Sequence, residues 1–297
     1  MNKLPVGATI RFAYGFTFGE IGTVIGLLWI PTLIQAVASF FVLRAYYPVL
    51  AQALETGGLP TGPAALLPLP FFFLSLLVFA MNGAALTRQI LGLREGSALA
   101  YFSLGWTELK IFAGYIAIYV LAMLFLLFLG LATGVLAVVA ARSGAASLLG
   151  SVSLLLWLVG LFALVFAVIR LSFLLIPAVL GGADIGLIRS WQLTEGNFWR
   201  ILLIGVACVV PLFVALDIAN AVILGPGAPA GGPPPATMAD LLRQFAADLR
   251  STLPHMPVLA GIGLVAAPLT SSLMIAPAAF AYRALSGKVV TSSREVE

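Results

Sequence analysis

His255 is the only histidine and Cys208 the only cysteine among 297 residues. A general base or a zinc ligand needs partners, and the acid nearest His255 in sequence is Asp248. With no H-E-x-x-H pattern and no paired cysteines, the chain offers no zinc site. His255, beside Pro254 in an outer loop, reads as an exposed spectator. Cys208 lies inside an apolar run and reads as a small buried hydrophobe. Neither a P-loop nor a G-x-G-x-x-G occurs, so nucleotide-driven transport would need another subunit. We therefore expect no catalytic residue, no metal, no cofactor and no nucleic-acid partner.

The remaining candidates are charged and polar residues in or beside apolar runs. Arg170 falls within one such run, near its end, where a charge must snorkel or pair. Its candidate partners are Glu20 and Glu108, at the entries of two other runs, and Asp184 just beyond its own. Two readings stand: a structural ion pair or phosphate contact at the interface, or a substrate or lipid-headgroup site built from these charges. Asp217, with Asn220 one turn on, reads as a residue satisfied at the outer surface, or with Arg44 as the lining of an outer vestibule. Gln35 is a midspan amide expected to bond across helices.

The most distinctive stretch runs from Ile188 to Arg200 and leads straight into the apolar Ile201-Leu-Leu-Ile-Gly-Val. Trp191 and Trp199, like Trp106 earlier, stand where aromatic-belt residues belong, and Arg189 and Arg200 flank the first two within reach of lipid phosphates. Thr194 and Asn197, either side of Gly196, can cap helices. The motif thus has a sufficient structural role, turning a surface helix into a spanning one. Phosphate or phospholipid recognition by the same groups is the sharper alternative.

The elements that carry these residues follow from composition. Hydrophobic residues make up 62% and charged ones 9%, with mean hydropathy +1.13. Soluble domains carry about 25% charged residues, so this chain lacks the surface to stay in water. Apolar runs of about 20 residues and the absence of strand-like alternation indicate an all-α polytopic membrane protein over a barrel. We expect one integral membrane domain, 1–297, with six spans: 21–43, 65–86, within 109–140, 148–180, 198–224 and within 254–285. Pro68 and Pro70 suit a helix entry. The fourth run would reach about 50 Å as a helix against a core of about 30 Å, so it must tilt, kink or project. Gly114, Gly205, Gly261 and Gly263 fit close helix contacts.

The N-terminal stretch reads as an interfacial helix before a retained anchor, not a cleaved leader, because its apolar segment begins late and runs long. Ten Lys and Arg lie on the N-terminal side of the spans and four on the other, which puts both termini in the cytoplasm. The external loop 225–253 starts as a Pro/Gly collar and continues as an amphipathic helix that Thr237 can cap, with Asp240 in its first turn. This helix should lie on the outer leaflet or lean on the bundle.

Three aromatic lead-ins, 8–22, 97–111 and 185–201, each pass a threonine (Thr17, Thr107, Thr194) before a pair of spans. They divide the chain into units 1–92, 93–180 and 181–290, each a short interfacial helix followed by a hairpin. Leu175-Ile-Pro-Ala178 and Ile275-Ala-Pro-Ala278 echo each other as well. Two spans per unit return the chain to the same side, unlike the inverted repeats of many transporters.

Arg170-Leu-Ser-Phe-Leu-Leu-Ile-Pro-Ala178 with Ser190-Trp-Gln-Leu-Thr-Glu-Gly-Asn-Phe-Trp-Arg200 resembles bacterial membrane proteins related to the membrane domain of glycerophosphoryl diester phosphodiesterases. Leu93-Arg-Glu-Gly-Ser97 and Trp106-Thr-Glu-Leu-Lys110 look like the same group's middle unit. The resemblance implies six spans in a Gram-negative inner membrane. It does not imply the phosphodiesterase reaction, which in that family belongs to a separate soluble barrel that these 297 residues do not contain. The function expected from the sequence is therefore non-enzymatic, in envelope organisation or as partner of another membrane protein, with membrane phospholipids as contacts. The alternative is a transporter or permease component for a lipid or small hydrophobic solute, whose mark would be a polar-lined cavity facing Arg170, Gln35 or Asp217.

Overall fold

An apolar chain that must pair its backbone groups internally can do so only as helix or closed barrel, and in the computed structural model of this protein it does so as helix. Residues 3–94, 102–143, 146–182, 186–224 and 237–286 are described, and among them there is no strand. They form α1 (Val6–Gly19), α2 (Ile21–Thr56), α3 (Pro68–Ile90), α4 (Trp106–Ser143), α5 (Ala146–Ser172), α6 (Leu175–Leu180), α7 (Leu187–Leu193), α8 (Phe198–Leu224), α9 (Met238–Thr252) and α10 (Met256–Ser286). Six stretches, built on α2, α3, α4, α5 with α6, α8 and α10, are long and apolar enough to cross a membrane. The chain is a multi-pass, all-α membrane protein.

Prolines shape several of these helices. Pro68 and Pro70 fall in the first turn of α3, where a missing N–H removes no helical bond. Pro177 cannot donate to the Phe173 carbonyl four residues back, and the overlong fourth run kinks there: α5 stops at Ser172 and α6 restarts at Leu175. Pro48, by contrast, stands inside α2, which runs on to Thr56 where a loop was expected after Leu43. It ends on Gly57 (φ 66°), with the Gly58 N–H on the Ala53 carbonyl at 2.9 Å.

The reason α2 continues is α9, which packs along the extension and reaches Glu55 through Arg250 at 2.6 Å. Thr237 and Asp240 close the capping box of α9. Ala246 faces inward, while Met238 and Phe245 are exposed. The Pro/Gly collar at 225–236 lies outside the described residues.

Three helices that end the expected units meet at the centre. α3, α6 and α10 all touch one another, Gly83 lying under Ile176, and Gly181, just past α6, under Tyr282. The lead-ins are arranged around this centre in rotation. α7 packs on α5 and α6, the turn opening α4 binds Arg88 of α3, and α1 packs on α10.

α1 lies along two spans instead of standing apart at a surface. The Leu4 N–H bonds to Asn197 Oδ1 at 3.0 Å and the Tyr14 hydroxyl to the Ala207 carbonyl at 2.8 Å. Each partner is ten residues further on, so α1 runs parallel to the first turns of α8. Thr17 Oγ1 meets Ser272 Oγ of α10 at 2.8 Å. The buried stripe Thr9, Ala13, Thr17 is small enough to allow this approach. Of the second lead-in, residues 97–101 lie outside the description and Phe102–Gly105 is not helical. Among the described residues a separate helix is present in the first lead-in, as α1, and in the third, as α7.

Candidate functional site

The junction motif builds a polar knot where α5, α6, α7 and α8 converge. Arg170 is 8% exposed. Its guanidinium lies 3.9 Å from the centre of the Trp191 ring and 5.5 Å from that of Phe166. Nε donates to Thr194 Oγ1 at 3.3 Å and Nη2 to the Trp191 carbonyl at 2.6 Å. Ser190 donates to the Arg170 carbonyl at 2.7 Å and accepts the Leu174 N–H at 3.2 Å. Gly196 turns the chain at φ 69°. Asn197 and Arg200 then hold both backbone polar groups of Leu4, Oδ1 accepting its N–H and Nη1 donating to its carbonyl at 3.3 Å. Trp199 is 67% exposed and rests on Phe162 and Phe198. Arg189 is exposed.

The acids expected beside Arg170 are elsewhere. Glu108 is 1% exposed and bound to Arg88 at 2.6 Å, to Ser103 Oγ at 3.2 Å and to the Gly105 N–H at 3.0 Å. Glu20 is exposed and accepts only a local bond from Thr23 at 3.0 Å. Asp184 lies outside the described residues. Among those that are described, no carboxylate pairs with Arg170; the Trp191 face and two hydrogen bonds take that place, because α7 folds back beneath it. Asp217 is exposed, and Arg44 sits over Phe40 near the start of α10, so these two form no vestibule. Among the described residues no cluster of three or more His, Cys, Asp or Glu could hold a metal.

Beyond the central contact the helices part around a cleft of about 1030 Å³. One wall is α3 and α4, held together by Phe79 on Tyr115 and Phe72 on Tyr119. Residues of α5, α6, α8 and α10 line the cleft as well, with Gln35 of α2. The α5 to α8 ring contacts gather at Phe162, Phe166, Phe198 and Trp199, beside the knot. Gly205 and Gly263 line the cleft, and an added Cβ at either would meet nothing within 4 Å. The same holds for Gly261. These three glycines therefore do not mark close helix contacts: their faces look onto open space.

Among the described residues no lining residue carries a charge, and neither Arg170 nor Asp217 is among them. The polar groups are few: Gln35, Ser75, Asn82, Ser172, Thr270, Ser271 and the two tyrosines. Asn82 is 4% exposed with its Oδ1 enclosed and unbonded, and Ser75 Oγ is likewise buried without a partner. Such a space can hold an apolar molecule of cofactor size, for which pockets of roughly 300–1,000 Å³ are usual.

No family model, curated protein or solved structure matches the chain. What the molecule does is therefore read from its own chemistry.

Two residues that sequence reasoning passes over, Ser75 and Asn82, face this cleft. Their signal was the spacing Ser75, Phe79, Asn82, one face of a helix in an otherwise apolar run.

Proposed function

We propose that this protein binds a lipid or small hydrophobic solute in the cleft between α3, α4, α8 and α10 and passes it within or across the membrane, without catalysing a reaction. The observation that carries this reading is a large, half-open cleft between the spanning helices that no described charged residue lines; of the three residues expected to face a transport cavity, only Gln35 lines it. Packed helices leave few voids larger than a water molecule, and an envelope-organising protein needs no such space. The organisational role, as partner of another membrane protein, is the reading to return to if the cleft proves empty of lipid. The junction tryptophans with Arg189 and Arg200 would contact phospholipid headgroups at the bundle rim.

Location is part of the same proposal: a bacterial inner membrane with both termini cytoplasmic. The ten-against-four distribution of basic residues supports the orientation. The relation to the membrane domain of glycerophosphoryl diester phosphodiesterases rests on the residues quoted for it.

The test is photolabelling in lipid nanodiscs with a diazirine-bearing long-chain alkane. Label should appear on peptides from α3, α8 and α10 that line the cleft. Gly205→Phe and Gly263→Phe, at positions where an added Cβ meets no neighbour, should each remove that label and leave labelling of the outer face of α4 unchanged. Label confined to lipid-facing surfaces in all three proteins would sink the proposal.

A further inference from the structure

We propose that the cleft selects molecules whose long apolar body carries one neutral hydroxyl or amide group, and that this group bonds to Asn82. The inference rests on the cleft being a binding site and adds what chemistry it accepts.

An amide enclosed in an apolar bundle costs free energy unless it is paired. Asn82 is 4% exposed and lines the cleft, and its enclosed side-chain Oδ1 has no hydrogen-bond partner among the described residues. Buried polar groups in native proteins are nearly always paired, with protein, water or ligand, so an amide at the cleft with no protein partner points to a visitor that it meets by turning toward the space. The neighbouring Gly83 is pressed under Ile176, which also lines the cleft, so Asn82 sits where α3 and α6 converge.

Charge narrows the class. Among the described residues no Asp, Glu, Lys, Arg or His lines the space, so an ionised headgroup inside it would lack a counter-charge from them and pay its full desolvation. A neutral group has no such cost. A hydroxyl both donates and accepts, and a secondary amide offers one group of each kind, so either can satisfy Asn82 whichever way its side-chain amide is turned. Ser75 stands on the same face of α3, two turns or about 10 Å away, and is likewise unpaired. It offers a second contact for a longer polar end. Alkanes and ethers that cannot donate would leave the amide oxygen unpaired.

The experiment is competition against the diazirine alkane in nanodiscs, using the full chain. Cetyl alcohol should displace the probe about tenfold better than cetyl methyl ether, the worth of one enclosed hydrogen bond. In Asn82→Leu the preference should vanish while displacement by the ether stays at its original level, which also shows that the variant is folded. Equal displacement by alcohol and ether in the wild type overturns the inference and leaves the cleft reading standing. So does a preference that survives in Asn82→Leu. Absence of probe from the cleft overturns both. Should Asn82→Leu fail to fold, the alcohol-to-ether ratio in the wild type still decides the matter.

Discussion

The Ser190 hydroxyl stands in for a helical hydrogen bond at Arg170. It donates to the Arg170 carbonyl at 2.7 Å and accepts the Leu174 N–H at 3.2 Å, bridging two groups that an unbroken ladder would join directly. The kink at Pro177 opens that link and α7 fills it, so the break in the fourth span and the position of the junction helix depend on one atom.

Ser190→Ala should therefore be costly for so small a change. It leaves the buried Leu174 N–H unpaired, worth about 1–3 kcal/mol, and leaves the Arg170 carbonyl with only the long contact from Thr194 Oγ1 at 3.4 Å. The check is thermal unfolding in detergent, where a clear fall in Tm is expected. An unchanged Tm would mean that the helix closes its own ladder and that the hydroxyl is dispensable.

Arg170 itself is held by shape as much as by charge. Stacking on a desolvated Trp contributes about 2 kcal/mol, and the guanidinium adds two directed bonds that an ammonium cannot reproduce together. Arg170→Lys should thus lose nearly as much stability as Arg170→Met. The double variant Arg170→Met/Trp191→Leu should cost less than the sum of its singles by about 1 kcal/mol or more. Strict additivity in unfolding measurements would show that the two side chains do not depend on each other.

Glu108 and Arg88 behave as a different kind of pair. With Glu108 1% and Arg88 20% exposed, cutting the ion pair by Glu108→Gln should cost about 3 kcal/mol, the lower end for buried pairs. Arg88→Met/Glu108→Leu should recover much of that. Glu55→Gln at the Arg250 bridge, where the side chains are 37% and 53% exposed, should cost under about 1 kcal/mol. If chemical unfolding ranked the two carboxylates equally, burial would not be what separates them.

The spans and the α9 cap were legible in the sequence for a common reason. Hydropathy summed over about 20 residues is insensitive to any single neighbour, and a capping box spans only Thr237 to Asp240. Features set by a distant element were not legible. α2 passes its expected end because α9 covers the extension, and nothing between Arg44 and Thr56 announces that. The partner of Arg170 could not be chosen from three acids when the actual partner is a tryptophan face brought in by α7. The cleft is still further from the sequence, since it exists where helices part. Only the Ser75, Phe79, Asn82 spacing hinted at it. The threonine lead-ins were visible, but not the rotation by which each packs on the closing helix of the unit before it.

That rotation places a tyrosine against a proline-broken bond in α8. Pro211 has no N–H to give the Ala207 carbonyl four residues back, and the Tyr14 hydroxyl donates to that carbonyl at 2.8 Å instead. Tyr14→Phe should cost about 1 kcal/mol in the wild type, the usual net worth of a hydrogen bond. In a Pro211→Ala background the backbone can bond Ala207 by itself, so the same substitution should cost close to nothing. A double-mutant cycle by thermal unfolding reads the difference directly. An equal cost in both backgrounds would mean that Tyr14 acts by packing against α8, and that its hydroxyl does not replace the missing helical bond.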